Sequence, residues 1–164
     1  MKHLHHFLVL LTAMLPCAVA LAQTSADLFS ATLTGLDDKP QALAQWHGKP
    51  LIVNFWARWC GPCRTEIPEL VNLRQRYLSR GLEVIGIGLE DKVESVRDFA
   101  RAYEMDYPIL LAKDQGFALM KSLGNTRMGL PFTVAIDRSG RLAVIKLGAM
   151  DSKELTAAAE AVLR

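Results

Sequence analysis

Two cysteines lie three residues apart in the run Trp59-Cys60-Gly61-Pro62-Cys63. A cysteine at a helix start meets unpaired N–H groups and the positive end of the helix dipole, which stabilise its thiolate. Gly61 and Pro62 suit a tight helix entry, since the N–H that proline lacks has no partner there. Trp59 would help to shape the site. The spacing predicts a redox-active dithiol in which Cys60 attacks and Cys63, one turn further along, resolves the mixed disulfide.

A structural disulfide and half of a metal site are the alternatives for this pair. A disulfide that closes so short a loop removes little conformational entropy from the unfolded chain, so it would stabilise the fold only weakly. A structural zinc site needs a full tetrahedral set of ligands, and Cys60, Cys63 and His47 would be too few even if they met. The sequence therefore predicts neither a metal nor another cofactor.

Glu66 follows Cys63 by three residues, so it would lie one turn further along the same helix face. If that face turns toward the core, the carboxyl group is desolvated and its pKa is raised. Such a group can accept or donate the proton that Cys63 loses or gains. Periodicity alone equally allows a solvated surface glutamate, and both placements stay open at this point.

The N-terminal segment is typical of a secretory signal peptide. Lys2 precedes the apolar, uncharged stretch 7–15, and Ala20-Leu21-Ala22 supplies a small-x-small cleavage pattern. An uncleaved membrane anchor is the alternative, although a span needs about 20 apolar residues. Cleavage after Ala22 would remove Cys17 and leave the closely spaced pair as the only thiols. We therefore expect a periplasmic location.

Composition indicates one ordinary folded domain. The chain has 164 residues, and domains typically hold roughly 100–200. The chain has 19 basic and 17 acidic residues, so its net charge is small. Nucleic acid is therefore not an expected partner. We expect a signal peptide at 1–22, a tether at 23–28 and a folded domain at 29–164, acting as a monomer.

Apolar periodicity predicts strands that alternate with helices. The predicted strands are 31–33, 41–43, 51–56, 82–88, 109–111, 133–136 and 142–147, the first two forming a short hairpin. The predicted helices run from near Cys60 to Gly81 and over 93–103, 114–123 and 152–163. This order predicts an α/β domain whose mixed sheet is covered by helices on both faces.

The run from Asn54 to Pro68 resembles the active-site run of the thioredoxin superfamily. More narrowly, it is similar to the extracytoplasmic TlpA/ResA-like branch, which includes cytochrome c maturation proteins. That branch shares Asn54 and a glutamate three residues after the second cysteine, whereas thioredoxins proper usually carry aspartate at the Asn54 position. The resemblance implies a thioredoxin-like fold over nearly all of 29–164, and it implies that Glu66 is buried and tunes the cysteines.

Gly129-Leu130-Pro131, followed by the run 133–140, resembles the cis-proline strand and hairpin of that family. Base rates alone favour a trans bond, because only about 5–6% of X-Pro bonds are cis. The resemblance instead implies a cis Leu130–Pro131 bond that lies against the dithiol. The backbone of Leu130 could then pair with an extended substrate peptide, as an added strand would. Phe132 departs from the Thr or Ser of many members, which bears on substrate choice.

The leading interpretation is a periplasmic protein-disulfide reductase. Gly61-Pro62 matches the reducing thioredoxins, and the resemblance implies a protein thiol or disulfide substrate and re-reduction by a membrane-bound electron donor. A disulfide-forming oxidase or isomerase is the second interpretation.

The third interpretation belongs to another class, a copper- or haem-handling module that uses the dithiol as a ligand. Four methionines could assist a soft metal there: Met105, Met120, Met128 and Met150. Scattered methionines are more often core filler. Glu90 and Asp91 could also reach the active-site end of the sheet, although a polar strand-to-helix loop explains them equally.

Overall fold

A computed structural model describes residues 25–90 and 92–164. The predicted signal peptide at 1–22 and Asp91 therefore lie outside the described residues. Within the described ranges, none of the helices combines the length and apolar character that crossing a bilayer requires.

The described residues form a single seven-stranded sheet. Its strands are β1 (Thr32–Gly35), β2 (Pro40–Ala42), β3 (Leu51–Trp56), β4 (Glu83–Gly88), β5 (Ile109–Leu111), β6 (Phe132–Ile136) and β7 (Leu142–Leu147). They lie in the order β2-β1-β5-β4-β3-β6-β7. The pairs β3–β4 and β4–β5 are parallel and the other pairs are antiparallel, which confirms the mixed sheet and the N-terminal hairpin.

Helices cover both faces of the sheet, as predicted. They are α1 (Ala26–Ser30), α2 (Gly61–Tyr77), α3 (Val93–Ala102), α4 (Gly116–Ser122) and α5 (Ser152–Val162), with 3₁₀ turns at Leu43–Trp46, Leu78–Arg80 and Lys113–Gln115. Side chains of α2, α3 and α5 pack into one core layer, and those of α1 and α4 pack into the other. The predicted helix at 114–123 is thus a 3₁₀ turn followed by α4.

β3 lies near the middle of the sheet, and all six of its side chains are buried. Alternate residues point to opposite faces, so Ile52 and Trp56 enter the layer under α2 while Val53 and Phe55 enter the other layer. A strand covered on both faces is expected to be apolar throughout. Asn54 is the polar exception, and it points to the same face as Ile52 and Trp56.

The tether predicted at 23–28 is wrong from Ser25 onward. Residues Ala26–Ser30 form α1, and the Leu28 side chain is 0% exposed in the core layer on the α4 side. The Ser25 hydroxyl donates a hydrogen bond to the Gly140 carbonyl at 2.6 Å. Leu28 and Phe29 are the large apolar residues of this segment, and an adjacent pair has no periodicity, so the sequence pattern did not predict the burial of Leu28. The folded domain begins by Ser25 rather than at residue 29.

Replacing Leu28 by alanine should lower the free energy of unfolding by about 2–4 kcal/mol, because a buried leucine side chain is lost and a cavity remains. Urea unfolding followed by circular dichroism measures this change. Asp27→Ala, on the exposed side of the same short helix, is the matched control and should stay within about 0.5 kcal/mol of wild type. Equal stability of Leu28→Ala and wild type would contradict the docking of α1.

Candidate active site

The dithiol lies after the end of β3, at the start of α2. Cys60 is the residue that caps the start of α2, with extended backbone angles of φ −83° and ψ 105°. Its N–H donates to the Ala57 carbonyl at 3.1 Å, and its sulfur accepts a hydrogen bond from the Cys63 N–H at 3.3 Å. The sulfur of Cys60 therefore lies at the unpaired N–H groups of a helix start, where a negative charge is stabilised.

Cys60 and Cys63 are joined as a disulfide, with their Cα atoms 5.3 Å apart. Cys60 is 5% exposed and Cys63 is 1% exposed, so Cys63 is the deeper of the two. This order of burial agrees with an outer attacking residue and an inner resolving residue.

The residues around the cysteines differ in what they contribute. Pro62 lies in the first turn of α2, where its missing N–H needs no partner. Trp59 is 73% exposed and presents a large apolar side chain beside Cys60. A Cβ added at Gly61 would meet no atom within 4 Å, and Gly61 has no left-handed φ. The backbone therefore does not require glycine there, and the shaping role of Gly61 stays a prediction.

Glu66 is 1% exposed, so of the two placements that periodicity left open the structure has the buried one. Its Oε2 accepts a hydrogen bond from Asn54 Nδ2 at 2.9 Å, and its Oε1 accepts one from the Met150 N–H at 2.9 Å. Burial raises the pKa of Glu66 from 4.5 to about 7, although the hydrogen bonds from Met150 and Asn54 act in the opposite direction. This carboxyl group can exchange a proton near neutral pH.

Asn54 links the carboxyl group to the strand that follows Pro131. Its Nδ2 also donates to the Thr133 hydroxyl at 2.9 Å, and the two residues are directly opposite in the β3–β6 register. Sequence analysis missed Thr133 and the Met150 N–H as partners in this network. The alternation of β6 could have indicated the face of Thr133, but only the register shows that it is opposite Asn54.

A groove of about 460 Å³ adjoins Glu66. Its lining includes acidic residues of α2 and of the start of α5: Glu69, Asp151 and Glu154. Lys146 donates to Glu154 at 2.6 Å and balances part of this negative charge. The negative charge of Glu154 adds to the rise in the pKa of Glu66.

The Leu130–Pro131 bond is cis, as the family resemblance implied. Leu130 is partly buried, and neither its N–H nor its C=O has a hydrogen-bond partner among the described residues. The Gly129 carbonyl, in contrast, accepts a hydrogen bond from Asn125 Nδ2 at 2.8 Å. A Cβ at Gly129 would come within 2.9 Å of a methyl group of Leu147, whose partly exposed side chain would have to shift. The backbone of Leu130 therefore has hydrogen-bonding capacity that no described residue uses.

The four methionines considered as soft ligands lie in different places. Met150 is in the core layer that contains the cysteines, and Met105 packs against it. Met120 is buried in the opposite layer, and Met128 is exposed in the loop before the cis-proline. Among the described residues, no group of three or more His, Cys, Asp or Glu side chains is arranged to hold a metal ion.

Glu90 lies at the active-site end of the sheet, where it hydrogen-bonds to Arg58. No hydrogen bond joins it to Glu66 within the described part of the chain. The two acidic residues therefore occupy separate positions around the dithiol.

Comparison with known proteins gives a consistent result. A family model described as Redoxin matches residues 22–163. The thiol-disulfide oxidoreductase ResA of Bacillus thuringiensis subsp. konkukian (strain 97-27) is 30% identical over 110 residues, which are 67% of this chain and 61% of ResA. The match thus spans less than two thirds of that relative. The thioredoxin-like protein YneN of Bacillus subtilis (strain 168) is 32% identical over 136 residues, 81% of this chain and 75% of YneN.

Solved structures share the same architecture. The thiol:disulfide interchange protein of Chlorobium tepidum TLS, a thioredoxin family protein, superposes with a TM-score of 0.76 at 28% identity and covers 90% of this chain and 100% of its own. The mixed sheet with helices on both faces agrees with this match in architecture. The chain therefore belongs to the Redoxin family, within its TlpA/ResA-like branch of thioredoxin-like folds.

Proposed function

We propose that this protein is an extracytoplasmic thiol-disulfide oxidoreductase that reduces disulfides in protein substrates. The observation that carries the proposal is the Cys60–Cys63 pair at the start of α2, with the buried carboxyl group of Glu66 one turn beyond Cys63. The names of the relatives, as thiol-disulfide oxidoreductases, support the same chemistry.

In the proposed reaction, the Cys60 thiolate attacks one sulfur of a substrate disulfide. A Cys60–substrate disulfide forms, and the second substrate sulfur leaves as a thiolate that takes up a proton. Cys63 then loses its proton and attacks the Cys60 sulfur, which restores the Cys60–Cys63 disulfide and releases the first substrate sulfur. Two electrons pass from the dithiol to the substrate.

Glu66 is proposed to accept the proton that Cys63 loses in the second step. A general base is most useful when its pKa lies near the working pH, and the pKa of about 7 meets this condition. The adjoining groove offers a route by which this proton reaches solvent.

Substrate docking is proposed at the free peptide groups of Leu130. An extended polypeptide can pair with them as an added strand pairs with a sheet edge. The exposed side chains of Trp59 and Met128 supply apolar contacts for neighbouring substrate residues.

The proposal has three more specific parts, which are a periplasmic location, re-reduction by a membrane-bound electron donor and a role in cytochrome c maturation. The signal-peptide pattern at 1–22 supports the location. The resemblance to the TlpA/ResA-like branch supports the other two.

The direction of electron flow is tested by the reduction potential of the Cys60–Cys63 pair. We expect a value near that of thioredoxin, about −270 mV, as determined by equilibration with dithiothreitol or glutathione buffers. A value near about −120 mV, which is typical of a strong oxidant, would contradict the reductase. Faster net oxidation of a reduced protein than reduction of its disulfide would favour the oxidase or isomerase instead.

A further inference from the structure

Glu90, which follows β4, accepts two hydrogen bonds from Arg58, the residue two positions before the nucleophilic cysteine. Its Oε1 accepts a hydrogen bond from the backbone N–H of Arg58 at 2.8 Å. Its Oε2 accepts a second one from the guanidinium group of Arg58 at 3.2 Å. Glu90 is only 9% exposed, whereas the Arg58 side chain is 37% exposed, so water screens this ion pair partly from the Arg58 side.

The contacts of Glu90 belong to a tightly connected turn. The Leu89 N–H donates to the Trp56 carbonyl at 2.9 Å, which ties the ends of the two central strands together. The Cys60 N–H donates to the Ala57 carbonyl and closes the turn before α2. Arg58 lies inside that turn, so a carboxylate bound to both its backbone and its side chain restrains the entry to the helix.

We propose that Glu90 is a positioning residue for Cys60, which anchors the turn 57–60 and pairs with the cation of Arg58, two residues before the reactive cysteine. The proposal rests on the assignment of Cys60 as the nucleophile. Charge-assisted hydrogen bonds of this kind are among the stronger ones in proteins. The pair keeps one negative and one positive charge together in the segment that leads to Cys60, so removing either member is expected to change the charge felt by its thiolate.

Other charged and titratable groups lie on the helix that Cys60 caps and on the element packed against it. From α2 they are Cys63, Arg64 and Glu66. Tyr103, directly after α3, accepts a hydrogen bond of 2.7 Å from the side chain of Arg64. These groups are unchanged in the variants proposed below, so a difference from wild type reports on the Glu90–Arg58 pair.

The test uses the reduced protein and the rate at which iodoacetamide alkylates Cys60 as a function of pH. Glu90→Gln keeps an acceptor for the Arg58 N–H but removes the anion, so the midpoint of this profile should fall by about half a pH unit. Arg58→Met keeps the backbone hydrogen bond but leaves the Glu90 anion unpaired, so the midpoint should rise by about the same amount. A loosened turn would not shift two variants in opposite directions.

Glu83→Gln is the matched control, because Glu83 lies at the other end of β4 and pairs with Arg74 at 2.7 Å. Its midpoint should equal that of wild type. Shifts of the same sign in Glu90→Gln and Arg58→Met, or no shift in either, would overturn the proposal. If Glu90→Gln does not fold, Arg58→Met and Arg58→Lys are compared instead. A higher alkylation midpoint in Arg58→Met together with an unchanged midpoint in Arg58→Lys supports the proposal. Any other pair of results overturns the proposal.

This readout does not depend on a substrate. A protein that fails to reduce disulfides could still show the two opposite shifts, and an active reductase could lack them. The failure of the proposed function and the failure of the Glu90 proposal are therefore distinguishable.

Discussion

Cys63→Ser protein is expected to accumulate as a mixed disulfide with its substrate, joined through Cys60. Cys60 lies at the start of α2 and can still attack, but the serine in the first turn of the helix cannot resolve the adduct. Multiple turnover on a protein disulfide should fall by roughly 10³-fold or more. Expression in the native host, followed by non-reducing electrophoresis and mass spectrometry of the adduct, measures the trapped species and identifies the partner.

Cys60→Ser is the matched control for this experiment. It removes the proposed attacking sulfur, so it should lose the same activity without trapping any adduct. Adducts in Cys60→Ser and none in Cys63→Ser would show that the assigned roles are reversed. Adducts in neither variant, under conditions where wild type is active, would contradict the mixed-disulfide mechanism.

Glu66→Gln is expected to remove a large part of the pH dependence of stability in the oxidised protein. The pKa of Glu66 is raised by burial from 4.5 to about 7, so the folded state binds this proton more tightly than the unfolded state does. The resulting stabilisation is complete below about pH 4.5 and is lost as the pH rises through about 7. This shift corresponds to about 3 kcal/mol between the two limits.

The fully buried site can accept the glutamine amide. The Met150 N–H can still donate to the amide oxygen, and Asn54 Oδ1, which has no partner among the described residues, can accept from the amide nitrogen after Asn54 rotates. Urea unfolding of both proteins between pH 4 and pH 8 should show wild type losing up to about 3 kcal/mol relative to Glu66→Gln as the pH rises. Curves that stay parallel across this range would show that Glu66 does not titrate there.

Local sequence patterns predicted much of the fold. β3 is a continuous apolar run after a turn, and α2 starts at a Cys-x-x-Cys with proline in its first turn, so both were predicted close to their observed bounds. The turn at 137–140 between β6 and β7 has the residues that its geometry needs, including Gly140 at φ 83°. α1 was missed, because one buried leucine in five residues leaves no periodic pattern.

Glu66 and Glu90 show what could not be predicted from residues close together in the sequence. Periodicity placed Glu66 on the face of Cys63 but could not tell whether that face was buried, since burial depends on α5 and on the Met150 N–H that only the folded chain brings there. The same holds for Glu90. Its place after β4 was evident from the sequence, whereas its two hydrogen bonds to Arg58 depend on the parallel register of β3 and β4.

The sequence by itself determined the reactive pair, the alternation of strands and helices, and the position of Cys60 at a helix start, because these depend on residues close together in the chain. The tertiary structure decided which groups surround that pair. Asn54, Thr133 and Glu66 meet through strand register and helix packing between distant segments. Burial by those segments, and no feature of residues 60–66 alone, raises the pKa of Glu66 to about 7.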